Sequence, residues 1–141
     1  MARADATAAL VDGLVQLSFE VQGRLGRVAA QHDLSLTQVR LLGVLRDHEL
    51  GIQQLAAHLG LEKSSVSGLV DRAEARGLLR RKASTDDGRA VRVVITKAGR
   101  TLAERGEREI AAALADLVAD LSRTDRERLT ELLAKCLPAP G

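Results

Sequence analysis

The sequence predicts a mainly α fold with one small β-hairpin, and three observations carry that prediction. The first is composition. Of 141 residues, 45% are hydrophobic and 28% charged, and the only two prolines, Pro138 and Pro140, lie in the last four positions. A proline-free body rich in Ala and Leu favours helix, because these residues have the best helix propensities. The second is periodicity: apolar residues recur at spacings of three and four along most of the chain, which gathers them on one face of a helix. The third is a change of pattern between residues 78 and 95, where two short β-prone runs flank a turn-rich stretch.

From about Asp5 to Gln31, Leu10, Leu14, Leu17, Val21, Leu25 and Val28 form a single stripe. Gln16, Glu20, Arg24, Arg27 and Gln31 occupy the other side, with Glu20 and Arg24 spaced as an i,i+4 pair. Gly13, Gly23 and Gly26 each cost this helix roughly 1 kcal/mol relative to Ala, so it needs a partner surface. His32-Asp33-Leu34-Ser35 breaks the pattern, and Thr37 is the expected N-cap of a second helix ending near Asp47. A two-turn third helix spans Ile52–Leu59. A fourth runs from about Lys63 to Arg76, closed by Gly77 as C-cap. Leu78–Lys82 and Ala90–Ile95 are the two strands, and 83–89 is a charged hairpin tip. Thr96 caps a long helix carrying Leu102, Ile110, Leu114, Leu117 and Leu121. Ser122 or Thr124 opens the last helix, which Pro138 ends.

Several function classes drop out. A single cysteine makes no intrachain disulfide and no cysteine-based zinc site without histidine. Met1 to Leu10 carries Asp5 and no unbroken apolar run, unlike a secretory signal. No stretch approaches the roughly 20 apolar residues of a membrane span. The expectation is a cytoplasmic protein with no membrane partner. No nucleophile–base–acid set is apparent, so no enzyme and no cofactor are expected.

Net charge is only +2, but its distribution is uneven. Residues 62–100 hold ten Lys/Arg against five acids, while the rest of the chain is mildly acidic. A basic middle between acidic ends is the layout of a nucleic-acid binder, and a solvated charged face is the plainer alternative. Residues 52–71 sharpen the choice. Ala56 is small enough for two helices to touch, Gly60 supplies a left-handed turn, and Val66 packs the second helix back on the first. Leu55, Leu59, Leu61 and Leu69 fill the shared core. This reads as a helix-turn-helix, against an ordinary helical hairpin with a glycine turn. A hairpin with basic arms, Arg81 among them, and a basic tip follows directly, as in the winged version of the motif.

With these residues in place the chain resembles the multiple-antibiotic-resistance regulator (MarR) family of dimeric winged-helix transcription factors. The carrying residues are Leu36-Thr37, Leu55-Ala56-x-x-Leu59-Gly60-Leu61, Lys63-Ser64-Ser65-Val66-Ser67, Leu69-Val70-Asp71-Arg72 and Arg76-Gly77-Leu78. Asp87-Gly88-Arg89-Ala90 and Ile95-Thr96-x-x-Gly99-Arg100 complete the set and are its most specific part. The resemblance implies a single chain, 1–141, with a winged DNA-binding lobe at 35–100 and dimerisation helices at 1–34 and 101–141. It implies a homodimer reading a pseudo-palindromic double-stranded operator, as a repressor relieved by a small molecule. Lys63, Ser64, Ser65, Ser67 and Arg72 would face bases and phosphates, and Arg81 belongs to the basic wing arm. Asp87 would fix Arg89 for the minor groove. Gly68 stands where a large polar residue is common, and Ala73 where a core Leu is common. A small anionic effector would bind between the dimer helices and the winged lobe, with Phe19, Arg24, Arg27 and Arg40 as candidate partners.

Some relatives sense zinc, so His32, Asp33 and His48, read as lying near one end of helix two, are candidate ligands. Exposed polar residues at helix ends are the favoured reading, and no metal site is expected. Others sense peroxide, but Cys136 shares a face with Leu129, Leu132 and Leu133 and is expected to pack. The alternative function is a protein-interaction or architectural DNA-binding module without an effector.

Overall fold

The computed structural model describes residues 2–84 and 90–138. Six α-helices are present among them: α1 (Ala2–Gln31), α2 (Leu36–Asp47), α3 (Ile52–Leu59), α4 (Lys63–Ala75), α5 (Lys97–Leu114) and α6 (Arg123–Cys136). Strands β1 (Leu79–Ala83) and β2 (Val91–Ile95) lie between α4 and α5, and a 3-10 turn (Ala115–Val118) joins α5 to α6. The strands pair antiparallel, Leu79 opposite Ile95 and Ala83 opposite Val91. Leu50 adds an isolated bridge to Val93, giving the hairpin a short third edge. The fold is mainly α with one hairpin, as predicted.

One core serves α2, α3, α4 and the hairpin. Leu41, Leu45, Leu55, Val66, Val70, Leu79 and Val93 are fully buried in it. Ala73 is buried there as well. Burying an aliphatic side chain of this kind contributes about 1.5–3 kcal/mol, so this lobe carries most of the chain's own stability. The long helices contrast with it. Among the described residues of α1 only Val28 and Ala29 are buried, and α6 buries no residue.

Helix ends follow local chemistry. Ser35, not Thr37, caps α2: its Oγ accepts from Gln38 N at 3.2 Å, and Gln38 Oε1 accepts from Ser35 N at 2.8 Å. The reciprocal pair satisfies two orphan donors at once, which Thr37, one turn further in, does not. Three helices end in left-handed residues: Asp33 (φ 54°), Gly60 (φ 65°) and Gly77 (φ 73°). In each case the next amide reaches back to close the turn: Leu34 to Ala29 O, Leu61 to Ala56 O and Leu78 to Ala73 O, all at 3.0 Å. The long helix after Thr96 stops at Leu114 rather than continuing to Leu121. Ser122 caps α6, accepting from Asp125 N at 3.1 Å. No helix among the described residues is long and apolar enough to cross a membrane.

Candidate nucleic-acid interface

The interface is built on α4. Its inward face, Val66, Leu69, Val70 and Ala73, is buried against α3 and the hairpin. That packing fixes which side chains point outward. Lys63, Ser64, Ser65 and Arg72 are exposed, and Ser67 and Gly68 are half-buried beside them. Gly60 sets the entry of α4: a left-handed residue here turns the chain sharply, and Ala56, 7% exposed, leaves room for the crossing. Gly68 has a local consequence too. A Cβ there would lie 3.5 Å from Arg72 Nη1, so the arginine folds back over the bare glycine. Lys63 and Arg72 have no carboxylate partner among the described residues, and both are available to phosphates or base edges.

Arg81 stands differently. Its Nη2 donates to Asp71 Oδ1 at 2.7 Å and its Nη1 to Glu74 Oε1 at 3.1 Å, while its backbone amide donates to Glu74 Oε2 at 2.9 Å. It ties β1 to the flank of α4 rather than standing free as a basic arm. Lys82 pairs with Glu49 at 2.8 Å, and that ammonium holds the Glu49 carboxyl below the usual carboxylate range. The positive surface is therefore narrower than the sequence count suggests. Asp87 and Arg89, the expected wing pair, lie outside the described residues.

Sequence reasoning missed Arg76, at the C-cap of α4. Its guanidinium donates to the carbonyls of His32 at 2.9 Å and Asp33 at 3.0 Å, joining the end of α4 to the end of α1. No spacing rule connects positions more than forty residues apart. The Thr96-x-x-Gly99 motif now has a physical reason. Thr96 Oγ1 accepts from Gly99 N at 3.0 Å and donates to Gly77 O at 2.6 Å. A Cβ on Gly99 would overlap the Leu78 carbonyl, so α5 docks this closely only with glycine there.

A cavity of about 210 Å3 lies between α1, α2 and α5. Val28, Leu34, Leu42, Leu102 and Ile110 give it an aliphatic wall, and His32, Arg46 and Glu107 are its ionisable residues. None of Phe19, Arg24, Arg27 and Arg40 lines it. Phe19 is 69% exposed on α1. Arg24 bonds to Asp116 and to Ala113 O and pairs with Glu20 at 3.7 Å, the i,i+4 pair expected from spacing. Arg27 is exposed, and Arg40 reaches Leu59 O at 3.5 Å.

The histidines are not brought together as the sequence reading had them. His32 precedes α2 and bonds to Glu109, while His48 follows α2 and stacks on His58, with ring centroids 6.4 Å apart. Twelve helical residues separate the two ends. Cys136 also departs from expectation: it is exposed, as are Leu132 and Leu133, and of the apolar face of α6 only Leu129 is half-buried.

A model of the MarR family matches residues 32–90. The fold is similar to a MarR-family transcriptional regulator from Silicibacter pomeroyi, 25% identical, with TM-score 0.73 over 88% of this chain and 84% of that one. MarR from E. coli, in its apo form, aligns with TM-score 0.79 at 21% identity, covering 92% and 96%. NadR, solved in complex with 4-hydroxyphenylacetate, aligns with TM-score 0.74 at 25% identity, covering 91% and 92%. A helix-turn-helix with an outward basic face, a hairpin wing and flanking long helices, together with these matches, gives the chain the winged-helix fold of the MarR-type transcriptional regulators, with residues 32–90 similar to the MarR family.

Proposed function

We propose that the protein is a cytoplasmic homodimeric repressor that reads a pseudo-palindromic operator and is released from it by a small effector. The carrying observation is the uncovered apolar surface of the outer helices. Leu10, Leu14, Leu17 and Phe19 on α1, with Leu132, Leu133 and Leu137 at the other end of the chain, are each at least 40% exposed. A 30-residue helix is about 45 Å long, and among its described residues α1 buries only two within its own chain. An apolar surface of that extent marks an interaction site, and a second copy supplies a matching one. On this reading residues 35–100 form the DNA-binding lobe, and 1–34 and 101–141 interlock across a two-fold axis. The axis sets two α4 helices to enter successive major grooves one turn apart. Lys63, Ser64, Ser65, Ser67 and Arg72 contact bases and phosphates, and Arg89, oriented by Asp87, enters the minor groove. The α1–α2–α5 cavity, between the dimer helices and the lobe, is the effector site on this reading, and NadR, solved with 4-hydroxyphenylacetate, supports by analogy that a small molecule is bound.

A gel shift on the DNA upstream of the protein's own gene tests this reading. Binding that resists nonspecific competitor supports the regulator, whereas binding that competitor abolishes supports the architectural alternative. In the same assay Arg89→Ala weakens binding by about 1–3 kcal/mol per wing. Asp87→Ala weakens it too, although it removes a negative charge. Tighter binding by the Asp87 variant contradicts the paired wing.

A further inference from the structure

The α1–α2–α5 cavity offers an anion no unpaired charge. Each of its three ionisable residues already faces a counter-group. Arg46 donates from Nε and Nη2 to the two Asp47 oxygens at 3.2 and 3.0 Å, and from Nη1 to Glu107 Oε2 at 2.5 Å. These carboxylates, Asp47 first, hold the guanidinium more firmly protonated than usual. His32 Nε2 meets Glu109 Oε2 at 2.5 Å, and Glu109 also accepts from Arg105 Nε at 2.9 Å. The rest of the lining is aliphatic. The two guanidinium N–H groups that these bonds leave over lie beside two carboxylates, which already outnumber the one positive charge of Arg46. An entering carboxylate therefore stands against two like charges, while its own desolvation cost remains. A cation meets the Arg46 guanidinium, a like charge, and carboxylates already paired with it, and it too keeps its desolvation cost. An uncharged molecule leaves both ion pairs intact and gains from apolar burial.

We propose that this cavity takes an uncharged, largely apolar molecule and discriminates against carboxylates. The proposal rests on reading the cavity as the effector site. Its volume of about 210 Å3 exceeds that of an engineered apolar cavity of about 150 Å3 that accepts benzene, so a bicyclic or equally bulky aliphatic compound fits. This departs from the anionic effector expected from the sequence, because the arginine at the cavity comes with two carboxylates of its own.

Three probes of one shape test the charge preference on the full-length protein: 1-naphthamide, 1-naphthoate and 1-naphthamidine, titrated by naphthalene fluorescence at pH 7. The expected result is saturable binding of the amide, at least tenfold tighter than either charged probe. Glu107→Gln removes the competing charge from Arg46 and should bring 1-naphthoate to within threefold of the amide. Gly106→Leu fills the cavity from a position where a Cβ meets open space, and should abolish amide binding while the folded helical spectrum is retained. Wild-type binding of 1-naphthoate or 1-naphthamidine as tight as the amide overturns the charge preference and leaves the effector site standing. No saturable binding of any probe, or binding that Gly106→Leu does not change, overturns the effector site itself.

Discussion

Arg81 counts toward the basic cluster in the sequence, yet in the fold its charge is spent on Asp71 and Glu74. Nothing in the spacing of these three residues marks them as partners, because the turn at Gly77 is what folds β1 back along α4. The residue's role is then positional. Arg81→Ala should lower unfolding free energy by about 1 kcal/mol, a modest figure because the guanidinium is 29% exposed and screened. The salt dependence of DNA binding should keep its slope. Loss of about one unit of slope would instead mark Arg81 as a phosphate contact. A second residue-level prediction concerns Glu109. Its carboxyl sits below the usual carboxylate range, first through the hydrogen bond from His32 and then through that from Arg105. A depressed folded-state pKa gives stability that is present above the ordinary value of 4.5 and lost as pH falls through the depressed one. The gap in urea midpoint between wild type and Glu109→Gln should therefore be open at neutral pH and close as pH falls below 4.5 and the carboxyl is protonated. A gap that persists there would show that the contact stabilises by something other than the carboxylate's charge.

At the scale of elements, periodicity and turn chemistry made most of the fold legible. The α3–α4 frame of Ala56, Gly60 and Val66 is local, so spacing alone places it. Departures came where longer-range geometry decides. Thr37 and Ser35 are both good caps, and only the reciprocal bond with Gln38 selects Ser35. The stripe from Leu102 to Leu121 reads as continuous, but the helix gives way to a 3-10 turn at Ala115. The junction of α4, β1 and α5 is the most constrained of these places. Gly99→Ala drives a methyl group into the Leu78 carbonyl, and neither α5 nor the Gly77 turn shifts alone, because Thr96 bonds to both. The substitution should destabilise the protein by about 1–3 kcal/mol, the usual cost of overpacking, although Ala is the better helix former. Unchanged or higher stability by chemical denaturation would contradict the close docking of α5.

For the whole molecule, the division of labour is between a lobe with its own core and outer helices without one. The sequence marked both through the same apolar stripes and could not tell which stripe is covered within the chain. Cys136 shows why: its helical face with Leu129, Leu132 and Leu133 has a core's periodicity, but no residue of α6 is buried among the described residues. The paired state of Arg46, and with it the character of the cavity, was equally hidden, because Glu107 arrives from α5, sixty-one residues away. If the outer helices unite two chains, DNA affinity and assembly fail together when their apolar faces are charged. The most direct measurement is multi-angle light scattering of the protein alone and bound to a palindromic duplex, for wild type and Leu133→Glu. The account predicts wild-type protein at twice the 15.1 kDa chain mass, two chains per duplex, and a variant that dissociates or aggregates and loses the duplex. A wild-type protein that is monomeric and binds a single half-site as tightly as the palindrome would contradict it.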